Sequence, residues 1–125
     1  MVILADSSVW IAHFRVANPS FTDLLDSEQV VTHPFVVGEL ACGSIPGRAT
    51  FLRWLRGMRA SPEASHAEAL AFIQGRGIMG RGLGYGDVHL LASCKLASDT
   101  ALWTFDRRLR AVAEELGIAF TPSSG

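Results

Sequence analysis

Val2, Ile3, Leu4 and Ala5 run without a polar break into Asp6. An unbroken apolar run predicts a strand covered on both faces, the habit of a parallel sheet with helices on each side. A second such run, residues 101–104, stops just short of Asp106. Between them the spacing turns helical. Residues 8–15 predict a short helix with Val9, Ala12 and Val16 inward, broken by Asn18, Pro19 and Ser20. A second helix covers residues 21–27, packing Phe21, Leu24 and Leu25, and a β-branched strand covers residues 29–33.

Pro34 suits the first turn of a helix over residues 34–43. Residues 47–58 predict another, with Phe51, Leu52, Leu55 and Met58 on one side and Arg53, Arg56 and Arg59 along the other. Pro62 ends that element, and a helix over residues 66–74 follows. The glycine-dense stretch 75–86 predicts a mobile loop. Asp87 opens a helix to about residue 97, residues 107–116 form an amphipathic helix capped by Gly117, and residues 118–120 a last short strand. This order predicts one α/β domain over residues 1–122, a three-layer α/β/α arrangement. Its sheet is mostly parallel, with four to five short strands, and residues 123–125 are a frayed tail.

Composition sharpens this only in part. In 125 residues, 49% hydrophobic and 18% charged, the chain has enough apolar content for a packed core and is not disordered. No apolar run reaches membrane-spanning length, and no basic segment precedes the first run, so a cytoplasmic protein is expected. Cys42 and Cys94 lie far apart without metal-site spacing, which predicts two reduced core thiols. A net charge of −1 does not announce a nucleic-acid partner, yet a basic surface around an acidic pocket is compatible with it. Lys95 is the only lysine; the remaining positive side chains are arginines, which suit bidentate phosphate contacts.

Four of the twelve acids stand in unusual places. Asp6 and Asp106 follow apolar strands, so a parallel sheet puts both at one edge; each is also a good helix N-cap. Asp87 faces Leu90, Leu91 and Cys94 at a helix start, where the helix dipole also favours an acid. Glu39 has Phe35, Val36, Cys42 and Gly43 as helical neighbours and no Arg or Lys within a turn, which leaves pairing with a distant Arg open. Two carboxylates about 4 Å apart repel by about 4 kcal/mol at an effective dielectric near 20, so four gathered together require a cation. Oxygen donors without His or Cys suit Mg²⁺ or Mn²⁺, which lower the pKa of bound water and stabilise phosphoryl-transfer charge.

Other signals fail their context. Gly75, Gly77 and Gly80 match G-x-G-x-x-G but follow a helix, not a strand, so they read as loop with Arg76 and Arg81 free to meet phosphates. The stripe of Arg53, Arg56 and Arg59 reads as a solvated helix face rather than an RNA track. Arg107 and Arg108, beside Asp106, are better phosphate candidates. His13, His33, His66 and His89 share no ligand spacing, and Ser7 and Ser8 lack a nucleophile-elbow context.

Asp6-Ser7-Ser8-Val9-Trp10-Ile11, Val37-Gly38-Glu39-Leu40-Ala41, Gly84 to Ser93 and Leu102 to Leu109 together resemble the PIN-domain ribonucleases. Among these the chain is most similar to the VapC-type toxins of bacterial toxin–antitoxin pairs. The resemblance spans nearly the whole chain and rests on all four motifs in order. It implies a PIN-like domain in which Asp6, Glu39, Asp87 and Asp106 are the catalytic metal pocket. Asp6 and Asp87 would be the direct ligands, and Glu39 and Asp106 would hold metal-bound waters or a second ion. Ser8 and Thr104 would support the pocket by hydrogen bonding. It further implies Mg²⁺- or Mn²⁺-dependent cleavage of single-stranded RNA by activated water, leaving a 5′-phosphate and a 3′-hydroxyl. A homodimer and a cognate antitoxin whose tail fills the active-site groove are implied partners. Two other functions compete. A phosphoacceptor domain of receiver type needs a lysine at a strand end, whereas Lys95 falls mid-helix. A vestigial binding module would not need all four acids.

Overall fold

The computed structural model describes residues 1–122; the tail expected at 123–125 lies outside the described residues. Strand β1 (Val2–Ala5) is the centre of a parallel sheet of order β2-β1-β3, with β2 at Val30–Val31 and β3 at Thr100–Trp103. Helices α1 (Ser7–Arg15) and α2 (Pro19–Asp26) link β1 to β2. Helices α3 (Pro34–Ala41), α4 (Arg48–Arg56), α5 (His66–Arg76) and α6 (Tyr85–Leu96) link β2 to β3, and α7 (Arg107–Glu115) follows. The three-layer α/β reading therefore holds. All four β1 residues are buried, as their unbroken apolar run requires.

The sheet is narrower than the four to five strands expected. Residues 118–120 contribute one parallel bridge, Leu102 to Ala119, because Pro122 has no N–H to extend the ladder. A second bridge, Thr32 to Ala60, extends the other edge. Strand β2 is also shorter than expected. Glu28 enters it from a left-handed conformation (φ 57°), and His33 already caps α3, its Nδ1 accepting from the Phe35 N–H.

The core centres on Trp10, which is 1% exposed and carries the inward face of α1 with Val9. Its ring meets Phe21 of α2 at 4.7 Å and Phe51 and Trp54 of α4 at 5.6 and 5.9 Å, edge-on in each case. Val16, expected inward, is exposed: the chain is already extended there, one residue past the end of α1. Helix α6 is buried from Val88 to Cys94 and packs on β3 and α5.

Cys42 is exposed rather than in the core, since α3 buries Val36 and Leu40 and Cys42 follows half a turn later. Cys94 is buried, and desolvation pushes its thiol up to about 12. Ellman's reagent is therefore expected to titrate one thiol per native chain quickly and the second only after denaturation.

The glycine-dense segment is a pinned turn, not the free loop expected. Gly77 ends α5 in the left-handed region (φ 63°), and Ile78 is buried directly after it. Arg81 is clamped by Glu115 of α7 through both guanidinium nitrogens, at 3.0 and 2.5 Å. Arg108 lies so close over Gly82 that a Cβ there would fall 2.8 Å from its side chain.

Candidate active site

Parallel pairing sets the site. Ala5 is level with Trp103, so the next residues, Asp6 and Thr104, emerge side by side at the carboxyl edge of the sheet. The Asp6 N–H donates to the Trp103 carbonyl at 3.0 Å and fixes this register. The Asp6 carboxylate is then held from three directions. The Ser8 hydroxyl donates to Oδ1 and the Thr104 hydroxyl to Oδ2, both at 2.5 Å, and the Val9 N–H donates to Oδ1 at 3.3 Å. The two hydroxyls are braced in turn: Thr104 Oγ1 accepts from the Asp106 N–H, and Ser8 Oγ from the Phe105 N–H, each at 3.0 Å. Asp106 caps α7, its Oδ1 accepting from the Leu109 N–H at 2.9 Å.

The other two acids approach from α3 and α6. Glu39 is exposed, and its Oε2 accepts from the Ser7 hydroxyl at 2.5 Å. Its Oε1 lies 3.3 Å from where a Cβ on Gly86 would sit, so the absence of a side chain at Gly86 lets Glu39 lie against the first turn of α6. Asp87 follows at once, its Oδ2 accepting from the Gly84 N–H at 3.2 Å. A chain of contacts thus runs from Asp106 through Thr104, Asp6, Ser8 and Ser7 to Glu39, Gly86 and Asp87.

The electrostatics agree. Burial pushes the Asp6 carboxyl above the ordinary carboxylate range, against the pull of its hydroxyl and N–H donors. Asp87 is also pushed up, first by burial and then by the charges of Asp106, Glu39 and Asp6, against the Gly84 N–H. Asp106, Glu39 and Asp6 therefore each lie within electrostatic reach of Asp87. The two ion pairs among the described residues, Arg81–Glu115 and Arg110–Glu114, leave the four without a basic partner. The distant Arg left open for Glu39 is not there. The positive ends of α1, α6 and α7 converge on the site and offset part of the repulsion. Among the described residues, no three His, Cys, Asp or Glu side chains are spaced to grip one ion directly. Mg²⁺ does not need such a cage, since it keeps several waters and uses one or two carboxylates. The donor set, all oxygen with no thiol or imidazole, fits that ion.

The cap readings are realised for Asp6, Asp87 and Asp106, each of which serves a helix N-terminus at this edge of the sheet. Of the arginines, Arg107 and Arg108 stand exposed directly after Asp106. Arg81 is tied to Glu115, and the Arg76 guanidinium lies over the Phe72 ring at 5.8 Å. Arg81 is therefore not the free phosphate contact expected, while Arg76 stays exposed and outside the ion pairs of the described residues. Ser7 was passed over in the sequence: its bond to Glu39 joins positions 32 residues apart, and no spacing signals it.

Thr104→Val tests the support directly. It removes a donor from buried Asp6 and orphans the Asp106 N–H. A destabilisation of about 1–3 kcal/mol is expected in urea unfolding, with a roughly 10- to 100-fold loss of Mn²⁺ affinity by calorimetry.

A family model described as PIN domain matches residues 3–115, and the chain belongs to the PIN-domain family. Two proteins named Ribonuclease VapC32, from Mycobacterium tuberculosis strains CDC 1551 / Oshkosh and ATCC 25618 / H37Rv, are each 42% identical over 118 residues, covering 94% of this chain and 95% of theirs. Within the family the chain is accordingly of the VapC ribonuclease type. The crystal structure of PAE2754 from Pyrobaculum aerophilum shares the fold, with a TM-score of 0.63, 16% identity, and coverage of 96% of this chain and 88% of that one.

Proposed function

We propose that this VapC-type protein is the toxin of a type II toxin–antitoxin pair. On this reading it is one PIN-like domain over residues 1–122, cleaving single-stranded RNA in the cytoplasm with Mg²⁺ or Mn²⁺ held by Asp6, Glu39, Asp87 and Asp106. The observation that carries the metal assignment is the mutual repulsion at Asp87: three further carboxylates press on it and no basic side chain relieves them. Asp6 and Asp87, the more buried pair, would be the direct ligands, and exposed Glu39 and Asp106 would hold metal-bound waters or a second ion. Ser8 and Thr104 hold the Asp6 carboxylate in one orientation. Arg107 and Arg108 offer the nearest uncommitted positive charge to an RNA backbone. When bound, the cation supplies an activated water and neutralises charge developing on the phosphate.

The partner assignment has its own support. A groove lined by Ile11, Phe14, Leu40, Ile45 and Pro46 has Arg15 and Glu39 on its walls as well. Such a groove suits an antitoxin segment whose tail reaches the acids. A homodimer belongs to the same reading, and sedimentation analysis measures it. Among the described residues no helix is long and apolar enough to cross a membrane. The phosphoacceptor alternative fails on position: Lys95 lines a recess with Met1, at the opposite end of β1 from Asp6.

The test is cleavage of single-stranded RNA by the purified protein with and without EDTA, alongside Asp6→Asn. Cation-dependent cleavage by the wild type and none by the variant is expected. Equal activity of both proteins, or activity indifferent to EDTA, sinks the metal assignment.

A further inference from the structure

On the side of Glu39 away from the antitoxin groove lies a second cleft, of about 400 Å³, lined by Phe35, Gly38, Glu39, Cys42, Tyr85 and Gly86. The metal assignment leaves it unused. Two aromatic side chains flank it: Phe35 in the first turn of α3 is 37% exposed, and Tyr85 at the start of α6 is 41% exposed. Their ring centroids are 6.2 Å apart and the rings are tilted at 51°, so a flat ligand can stack on one ring and meet the other edge-on.

These rings are held in place. His89, itself only 6% exposed, meets Phe35 at 4.5 Å and Tyr85 at 4.6 Å, edge-on to both. The Tyr85 hydroxyl is hydrogen-bonded to His66 Nδ1 at 2.5 Å. Gly38 also lines the cleft and faces open space, since a Cβ built there would meet nothing within 4 Å. The cleft has aromatic walls, one carboxylate and no cationic side chain among its lining residues. That chemistry repels a phosphate and accepts a flat, uncharged ring that carries N–H donors on its edge.

The geometry points to a stacking slot, lined by Phe35 and Tyr85, that takes one unpaired nucleobase of the RNA against an aromatic face next to the phosphate that is cut. This rests on the ribonuclease reading above. Glu39 borders both the slot and the acid cluster, and Gly86 of the slot precedes Asp87, so a phosphate at the acids leaves its own base at the slot. A base paired in a duplex cannot enter, which gives the site a physical reason to prefer single strands. Phe35 and Tyr85 are positioning residues here: they bind the base and take no part in bond breaking.

The experiment is an abasic scan. A single-stranded RNA with one mapped cut site is synthesised as a set, each member lacking one base near the cut. Aromatic stacking predicts that wild type loses about tenfold in kcat/KM at one position only, mostly through KM. Tyr85→Leu and Phe35→Leu lose about as much on the intact RNA and show no further loss at that position. Tyr85→Phe, which keeps the ring, restores the position-specific loss. Unfolding temperatures are compared so that a folding defect is recognised. A second readout needs no catalysis. In EDTA, alkylation of exposed Cys42 on the slot wall slows with the intact RNA and not with the RNA abasic at the critical position.

A flat abasic scan by an enzyme that cleaves with Mg²⁺ and is silenced by Asp87→Asn overturns the slot and leaves the nuclease standing. No cation-dependent cleavage by wild type overturns the nuclease reading itself. If Tyr85→Leu splits an assembly into monomers and loses activity evenly across the set, the cleft belongs to a second copy of the chain and the slot is wrong.

Discussion

Asp87→Asn will abolish RNA cleavage and, in the absence of divalent cation, raise the unfolding temperature by a few degrees at pH 7. The loss of activity follows from the proposed ligand role, and a fall of at least about a hundredfold is expected. The gain in stability follows from the local charge. Asp87 has its folded pKa above the ordinary aspartate range, because burial and three neighbouring carboxylates oppose ionisation more than the Gly84 N–H favours it. At neutral pH the native state therefore carries a penalty that the unfolded chain does not. The penalty fades as pH falls through the raised folded pKa and is gone below the unfolded value, where both states are protonated. Metal-free wild type should thus approach the variant's stability on acidification; Asp6, shifted in the same direction, is present in both proteins and stabilises both as pH falls. Asn keeps the carbonyl that accepts from Gly84, so the start of α6 survives. Differential scanning in EDTA and in millimolar Mn²⁺ measures this. The variant should lead in EDTA, and the lead should shrink or reverse with Mn²⁺, which only wild type binds well. A variant less stable than wild type in EDTA would show that the acids are not under mutual strain.

Trp10→Ala will cost about 3–5 kcal/mol, lowering the unfolding midpoint by roughly 10 °C or more in a domain of this size. Trp10 is, with Trp103, one of the two largest fully buried side chains, and its ring joins α1 to α2 and α4. Truncation leaves a void that Phe21 and Phe51 cannot both fill from opposite sides. The effect reaches the site as well, because α1 carries Ser7 and Ser8. Of a total stability of order 5–15 kcal/mol, such a loss is a large share. Urea unfolding followed by circular dichroism reads it, and a change below about 1 kcal/mol would mean that the aromatic cluster is not the keystone of this layer.

Much of this was legible along the chain because it is local. An apolar run ending in an acid reports a buried strand and the edge at which it stops, and this holds for Asp6 and nearly so for Asp106. Proline and glycine marked the ends of α2, α3, α5 and α7 to within a residue or two. Other features were not legible. That residues 118–120 make a bridge and not a strand depends on Pro122 and on the pairing surface left by β3. Val16 and Cys42 looked inward on a helical wheel, yet helix end and packing direction put both outside. Arg81 looked free until the turn brought it against Glu115, 34 positions away.

The amino-acid order by itself determined the layered α/β architecture and which four carboxylates were out of place, because period and burial cost act over a few neighbouring residues. Only the folded chain decided that Asp6 and Thr104 stand level, that Ser7 holds Glu39, and that Gly86 brings Glu39 against the turn carrying Asp87. Those relations depend on strand register and helix packing, which are set by contacts between residues distant in sequence. The charge that each acid imposes on the next exists only once those contacts form.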